Sequence, residues 1–85
     1  MPDSAPTFSD AIAASVRAER ARLKWTQVEL GERIGLPGFT ISDIETGRRA
    51  VTANDLPLLC EVFNVSLAEL ARRADPNDLA RLRLG

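Results

Sequence analysis

Residues 26–49 read TQVELGERIGLPGFTISDIETGRR, and the fold follows from this stretch. Leu30 and Ile34 stand four residues apart, on one face of a helix expected over Gln27 to Ile34. Thr26, with Glu29 three residues later, spells the T-x-x-E capping box, so the start of that helix is chemically specified. Gly35 follows the last apolar residue, where a left-handed backbone is wanted and the missing Cβ removes the steric penalty. Leu36 then points back to the core. A second helix is expected from Pro37 or Gly38 to Thr46, with Ile41 and Ile44 as its buried stripe and Gly47 as its stop. Two short helices joined this tightly bury their apolar sides against a scaffold and leave the opposite face of the second one free.

Upstream, residues 1–7 read as a frayed tail. Thr7 or Ser9 is placed to cap a helix running to about Lys24, with Ile12, Val16, Arg20 and Leu23 on one face and Phe8 a turn earlier. Arg20 is the anomaly in that apolar line. A lone buried charge is costly, so Arg20 either snorkels outward or finds an acid. Glu45 lies four residues after Ile41 and borders the buried face of its own helix, which makes it the natural partner. Breaking such a pair, if buried, costs roughly 3–5 kcal/mol; the alternative is that both residues are solvated. Trp25 is expected to plug the end of the first helix. Gly31, inside the second, costs about 1 kcal/mol relative to alanine, which close approach of a neighbouring helix would justify.

Downstream of the loop GRRAV, a fourth helix is expected from Asn54 to Phe63, capped by Asn54 or Asp55, with Pro57 in its first turn. Leu56, Leu59, Cys60 and Phe63 form its inward stripe, and Asn64 is its left-handed end. Ser66 and Glu69 make a further capping box for a fifth helix, SLAELARRA, with Leu67 and Leu70 inward. Asp75-Pro76 stops it. The ending NDLARLRLG is open between a helical turn and an extended segment.

Composition narrows the function. Eighty-five residues make one small domain, and 45% apolar content is that of a globular chain. No run is long enough to span a membrane, and the N-terminal MPDSAPT lacks the basic-then-apolar layout of a signal peptide. The single cysteine, Cys60, cannot form an intrachain disulfide, so a reducing cytoplasm is the expected location. Histidine and tyrosine are absent. No metal cluster, cofactor site or nucleophile–base pair suggests itself, and an enzyme is not expected. A net charge of −1 and a pI near 5.3 argue mildly against strong nucleic-acid affinity, although local charge placement matters more than the sum.

From Ile12 to Leu70 the chain resembles the Cro and phage-repressor type of helix-turn-helix domain, also called the XRE family. The segments TQVELGERIGL, TISDIETGRR and LPLLCEVFNVSLAEL carry the likeness. The resemblance implies an all-α, five-helix, lambda-repressor-like DNA-binding domain over residues 8–74, with the helix-turn-helix at its second and third helices. Residues 75–85 would be a tail with a possible dimerisation role. It implies DNA phosphate contacts at Thr26 and Gln27, where backbone N–H groups point the same way, and at Arg48 and Arg49, whose alternative is a solvated loop. It also implies a structural salt bridge between Arg20 and Glu45. Gly38, Phe39, Ser42 and Asp43 fall where base edges are usually read, with Thr40 and Thr46 on the flanks.

Three residues depart from the family pattern. Gly38 replaces a common polar reader and permits close backbone approach; Pro37 replaces a capping hydroxyl; Gly31 replaces an alanine. Phe39 suits a thymine methyl, Ser42 a base or a phosphate, and Asp43 the amino group of cytosine. The implied function is a sequence-specific regulator, a repressor or autoregulator, on a double-stranded DNA operator. So small a unit makes few base contacts, so a homodimer is expected, joined through the fifth helix and Leu79, Leu82 and Leu84. The rival is a protein-binding module, such as an antitoxin or adaptor, that uses the same fold to hold a protein partner.

Overall fold

The computed structural model describes residues 7–84, so the tail expected at 1–7 lies, apart from Thr7, outside the described residues. Six helices follow one another: α1 (Phe8–Leu23), α2 (Gln27–Ile34), α3 (Gly38–Glu45), α4 (Asp55–Phe63), α5 (Leu67–Leu70) and α6 (Pro76–Arg81). Among the described residues there is no strand.

Local chemistry sets most boundaries. Thr7, not Ser9, caps α1: its hydroxyl accepts the Asp10 N–H at 3.0 Å, and the Asp10 carboxylate accepts the Thr7 N–H at 2.9 Å. Ser9 has a different task. Its hydroxyl accepts the N–H of Val51 at 2.9 Å and ties the loop after α3 to α1. The capping box of Thr26 and Glu29 opens α2, and Gly35, at φ 77°, closes it. Gly47, at φ 81°, turns the chain just beyond α3.

Two expected boundaries change. Asn54 makes no side-chain bond at the start of α4. Instead Thr52 and Asp55 exchange bonds, the Asp55 carboxylate accepting the Thr52 N–H at 2.9 Å and the Thr52 hydroxyl accepting the Asp55 N–H at 3.3 Å. The fifth helix, expected over nine residues, ends after Leu70; Ala71 and Ala74 then turn into the core with 0% and 7% exposure. The ambiguous ending forms α6, with Pro76 in its first turn and the Asp75 carboxylate accepting the Asn77 N–H at 2.7 Å.

The core gathers one stripe from each of the first five helices: Ile12, Val16, Leu30, Ile34, Ile41, Leu59, Phe63 and Leu70. Trp25 stacks on Phe63 at 6.1 Å between ring centres, and the Arg33 guanidinium lies 4.2 Å above the Trp25 ring. Leu79 and Leu84 pack against this core. Both are partly buried there, so each spends part of its surface on the chain's own interior. Cys60 sits half-buried at the margin of the core, and burial pushes its thiol pKa up.

Gly31 is explained by the turn that follows α2, not by a neighbouring helix. A Cβ built on it would stand 2.2 Å from the Leu36 carbonyl oxygen, inside the turn itself. This contact lets α3 leave α2 as sharply as it does.

Candidate functional site

The site grows from the way α3 is anchored. Ile41 and Ile44 are buried at 0% and 1% exposure, and Glu45 completes that face at 5%. A carboxylate at such depth needs partners. Arg20 of α1 supplies two of them, its Nε donating to Oε2 at 2.7 Å and its Nη2 to Oε1 at 3.0 Å. The Gln27 amide of α2 adds a third at 3.2 Å. Arg20 also donates to the carbonyl of Trp25 at 2.9 Å. Its hydrogen bond to Glu45 holds the guanidinium pKa above the ordinary value, against the opposing effect of burial. Arg17 completes the arrangement by donating to the backbone carbonyl of Glu45, at the C-terminal end of α3, where a cation suits the helix dipole. Three helices thus converge on one glutamate.

The opposite face of α3 is what this anchoring presents. Phe39 is 71% exposed, the most exposed large apolar side chain of its helix. Thr46 is exposed, whereas Gly38, Thr40, Ser42 and Asp43 are half-buried. The Thr46 hydroxyl donates to the Ser42 carbonyl at 2.9 Å, so its proton is already used within the chain. Gly38 is held by α2: a Cβ there would fall 2.8 Å from the Val28 Cγ2 atom, so the space beside it is filled by Val28.

The first turn of α2 adjoins this face. Thr26 and Glu29 satisfy each other at 2.8 and 3.0 Å, and the Thr26 N–H holds the Glu29 carboxyl below the usual carboxylate range. The N–H groups of Gln27 and Val28 have no acceptor among the described residues and lie at the positive end of the helix.

The two arginines after α3 part company. Arg48 is exposed. Arg49 donates to the Asp55 carboxylate at 3.1 Å. Burial opposes ionisation of Asp55, yet the bonds from Thr52 and from Arg49 prevail, and its pKa lies below the usual carboxylate range. The backbone N–H groups of both arginines donate to the Asp43 carbonyl, at 2.9 and 3.1 Å, which folds the loop back onto the end of α3.

Sequence reasoning missed Arg17, Val28 and the Thr52–Asp55–Arg49 group. Two of these left a trace. Thr52-x-x-Asp55 has capping-box spacing, and Arg17 shares a helical face with Arg20 three residues on. Val28 is an apolar residue on the outward face of α2, 58% exposed. Among the described residues, no group of three or more His, Cys, Asp or Glu side chains is placed to hold a metal ion, and no helix is long and apolar enough to cross a membrane.

A helix-turn-helix family model matches residues 16–70, which covers all of this geometry. Two crystal structures of the clp gene regulator ClgR from Corynebacterium glutamicum are similar to the chain at 28% identity. They superpose with TM-scores of 0.74 and 0.73, covering 82% and 91% of this chain and 91% and 90% of theirs. A hypothetical transcription factor, NHTF, from Neisseria shares the fold, with a TM-score of 0.70 at 21% identity over 96% of this chain and 95% of that one. No curated protein sequence matches significantly.

Proposed function

The chain belongs to the helix-turn-helix family of Cro and phage-repressor type, a family of DNA-binding regulators, and on that premise we propose that it is a sequence-specific transcriptional regulator, a repressor or autoregulator, that lays α3 in the major groove. One observation carries the reading: Glu45 is clasped from α1 and α2, so the outer face of α3 is held rigid and presented. A reading helix whose pose is fixed before contact loses less free energy to ordering when it binds.

On this reading Phe39, Ser42 and Asp43 meet base edges, Thr40 and Thr46 flank them, and Gly38 lets the backbone come near. Thr26 and Gln27, with the free N–H groups of the first turn of α2, meet one phosphate, and Arg48 and Arg49 meet another. Arg49 must share its guanidinium with Asp55 to do so.

A unit of this size reads few base pairs, so it works as a homodimer on half-sites about 34 Å apart, one helical turn of DNA. Leu79 and Leu84 are partly buried against the core, so the dimer contact centres on Leu82, which is 49% exposed, beside Phe8. Leu82→Glu then yields a monomer in sedimentation analysis, and an unchanged mass rejects that surface.

A second reading is favoured by the pairing of Arg49 with Asp55 and of Gln27 with Glu45, and by the exposure of Phe39: α3 holds a partner protein instead. Salt separates the two. DNA binding through phosphates loses affinity with a log–log slope of about −0.9 per phosphate neutralised. Fluorescence anisotropy on mixed duplexes at rising salt measures it, and absent binding at low salt rejects the DNA reading.

A further inference from the structure

The reading face of α3 is unusual in what it lacks. Gly38 offers no side chain, the Thr46 hydroxyl proton is spent on the Ser42 carbonyl, and Asp43 carries acceptors alone. No long amide or guanidinium stands on the helix to grip guanine or adenine from the major groove. It does have apolar surface. Phe39 is 71% exposed, and Val28, 58% exposed, lies against Gly38 with its Cγ2 2.8 Å from where a Cβ of residue 38 would fall. A Cβ at 38 would press on that methyl and displace it, so the glycine leaves Val28 undisturbed beside the start of α3. Two exposed apolar side chains from two different helices thus flank one backbone position.

We propose that Val28 and Phe39 together form a seat for the C5 methyl group of a pyrimidine in the major groove, which makes Val28 a specificity-determining residue. This deepens the DNA reading above and rests on it. The chemistry selects a methyl group rather than a whole base. Thymine and 5-methylcytosine carry that methyl at the same ring position, whereas uracil and cytosine lack it. Asp43 stands four residues beyond Phe39 on the same helical face, and its carboxylate accepts from an amino group, as on cytosine or adenine, while it repels the O4 of thymine. Methyl plus exocyclic amino group is the signature of 5-methylcytosine. Cytosine methylation in the bound site therefore strengthens binding.

The test uses the full chain and a duplex selected from random sequence. Thymines in that duplex are replaced one at a time by uracil, and cytosines by 5-methylcytosine. At the seat, uracil for thymine weakens binding about fourfold, the contribution of one buried methyl group, and 5-methylcytosine for cytosine strengthens it by a similar factor. Both effects vanish in Val28→Ala and in Phe39→Ala, each of which alters an exposed side chain and leaves the fold intact. Tight, salt-dependent binding that ignores every methyl change overturns the seat and leaves the DNA reading standing. A methyl effect that survives in Val28→Ala overturns the role of Val28. No duplex binding at low salt removes the DNA reading and the seat with it.

Discussion

Arg20 and Glu45, twenty-five residues apart in the chain, meet in a two-point ion pair whose carboxylate side chain is 3% exposed and whose guanidinium side chain is 23% exposed. The asymmetry in exposure predicts an asymmetry in stability. Arg20→Ala leaves a buried carboxylate with only the Gln27 amide and costs about 3–5 kcal/mol. Glu45→Ala leaves a guanidinium that still holds the Trp25 carbonyl and reaches water, so it costs less, about 2–3 kcal/mol. The double variant is less destabilised than the sum of the two. Urea unfolding of the three variants measures this, and strict additivity would show that the pair is not coupled.

Gly31→Ala is expected to destabilise the protein although alanine is the better helix former by about 1 kcal/mol. The new methyl would stand 2.2 Å from the Leu36 carbonyl oxygen, a backbone atom in a turn that cannot swing aside as a side chain can. Overpacking of this kind costs about 1–3 kcal/mol, so the net loss is up to about 2 kcal/mol. A urea midpoint that rises instead would mean that the turn opens without strain.

The parts of this structure that were legible in the sequence are those written in local chemistry. The limits of α2 follow from Thr26, Glu29 and Gly35, because capping and left-handed ends are short-range effects. The Arg20–Glu45 pairing was legible as a problem, a charge in an apolar stripe, with one acid on the right face to answer it. What stayed hidden depends on three-dimensional approach. Nothing local says that Gly38 faces Val28, that Arg49 turns to Asp55, or that α5 gives way to a turn once Ala71 and Ala74 enter the core. The partial burial of Leu79 and Leu84 against the core was hidden for the same reason: a leucine looks equally idle in a sequence whether it covers its own core or a partner's.

Arg48 and Arg49 are neighbours with different expected phenotypes. Arg48 is exposed, so Arg48→Ala should weaken binding to all duplexes about equally, lower the salt slope by about 0.9, and leave the melting temperature unchanged. Arg49→Ala strips a partner from the Asp55 carboxylate, whose side chain is 7% exposed, and should lower stability by about 1–2 kcal/mol whether or not DNA is present. Calorimetry and anisotropy on both variants separate the roles. A normal melting temperature for Arg49→Ala would mean that Thr52 alone suffices for Asp55.

Asp55 also gives the fold a defined acid sensitivity. Its pKa in the folded chain lies below that of the unfolded chain, about 3.9 for an aspartate, because the Thr52 and Arg49 bonds outweigh the effect of burial. The ionised carboxylate therefore stabilises the fold fully at pH values above about 4, and this contribution is lost as the pH falls through the lower, folded value. Asp55→Asn keeps an acceptor for the Thr52 N–H but removes the charge facing Arg49. The stability gap between the native chain and the variant should be constant from pH 7 to about 4 and should close below that. Glu29 and Glu69, also held below their usual range by the capping boxes, are common to both proteins and cancel in the difference. Urea unfolding at a series of pH values reads the gap directly; a gap that persists unchanged at pH 2.5 would trace the effect to shape rather than to charge.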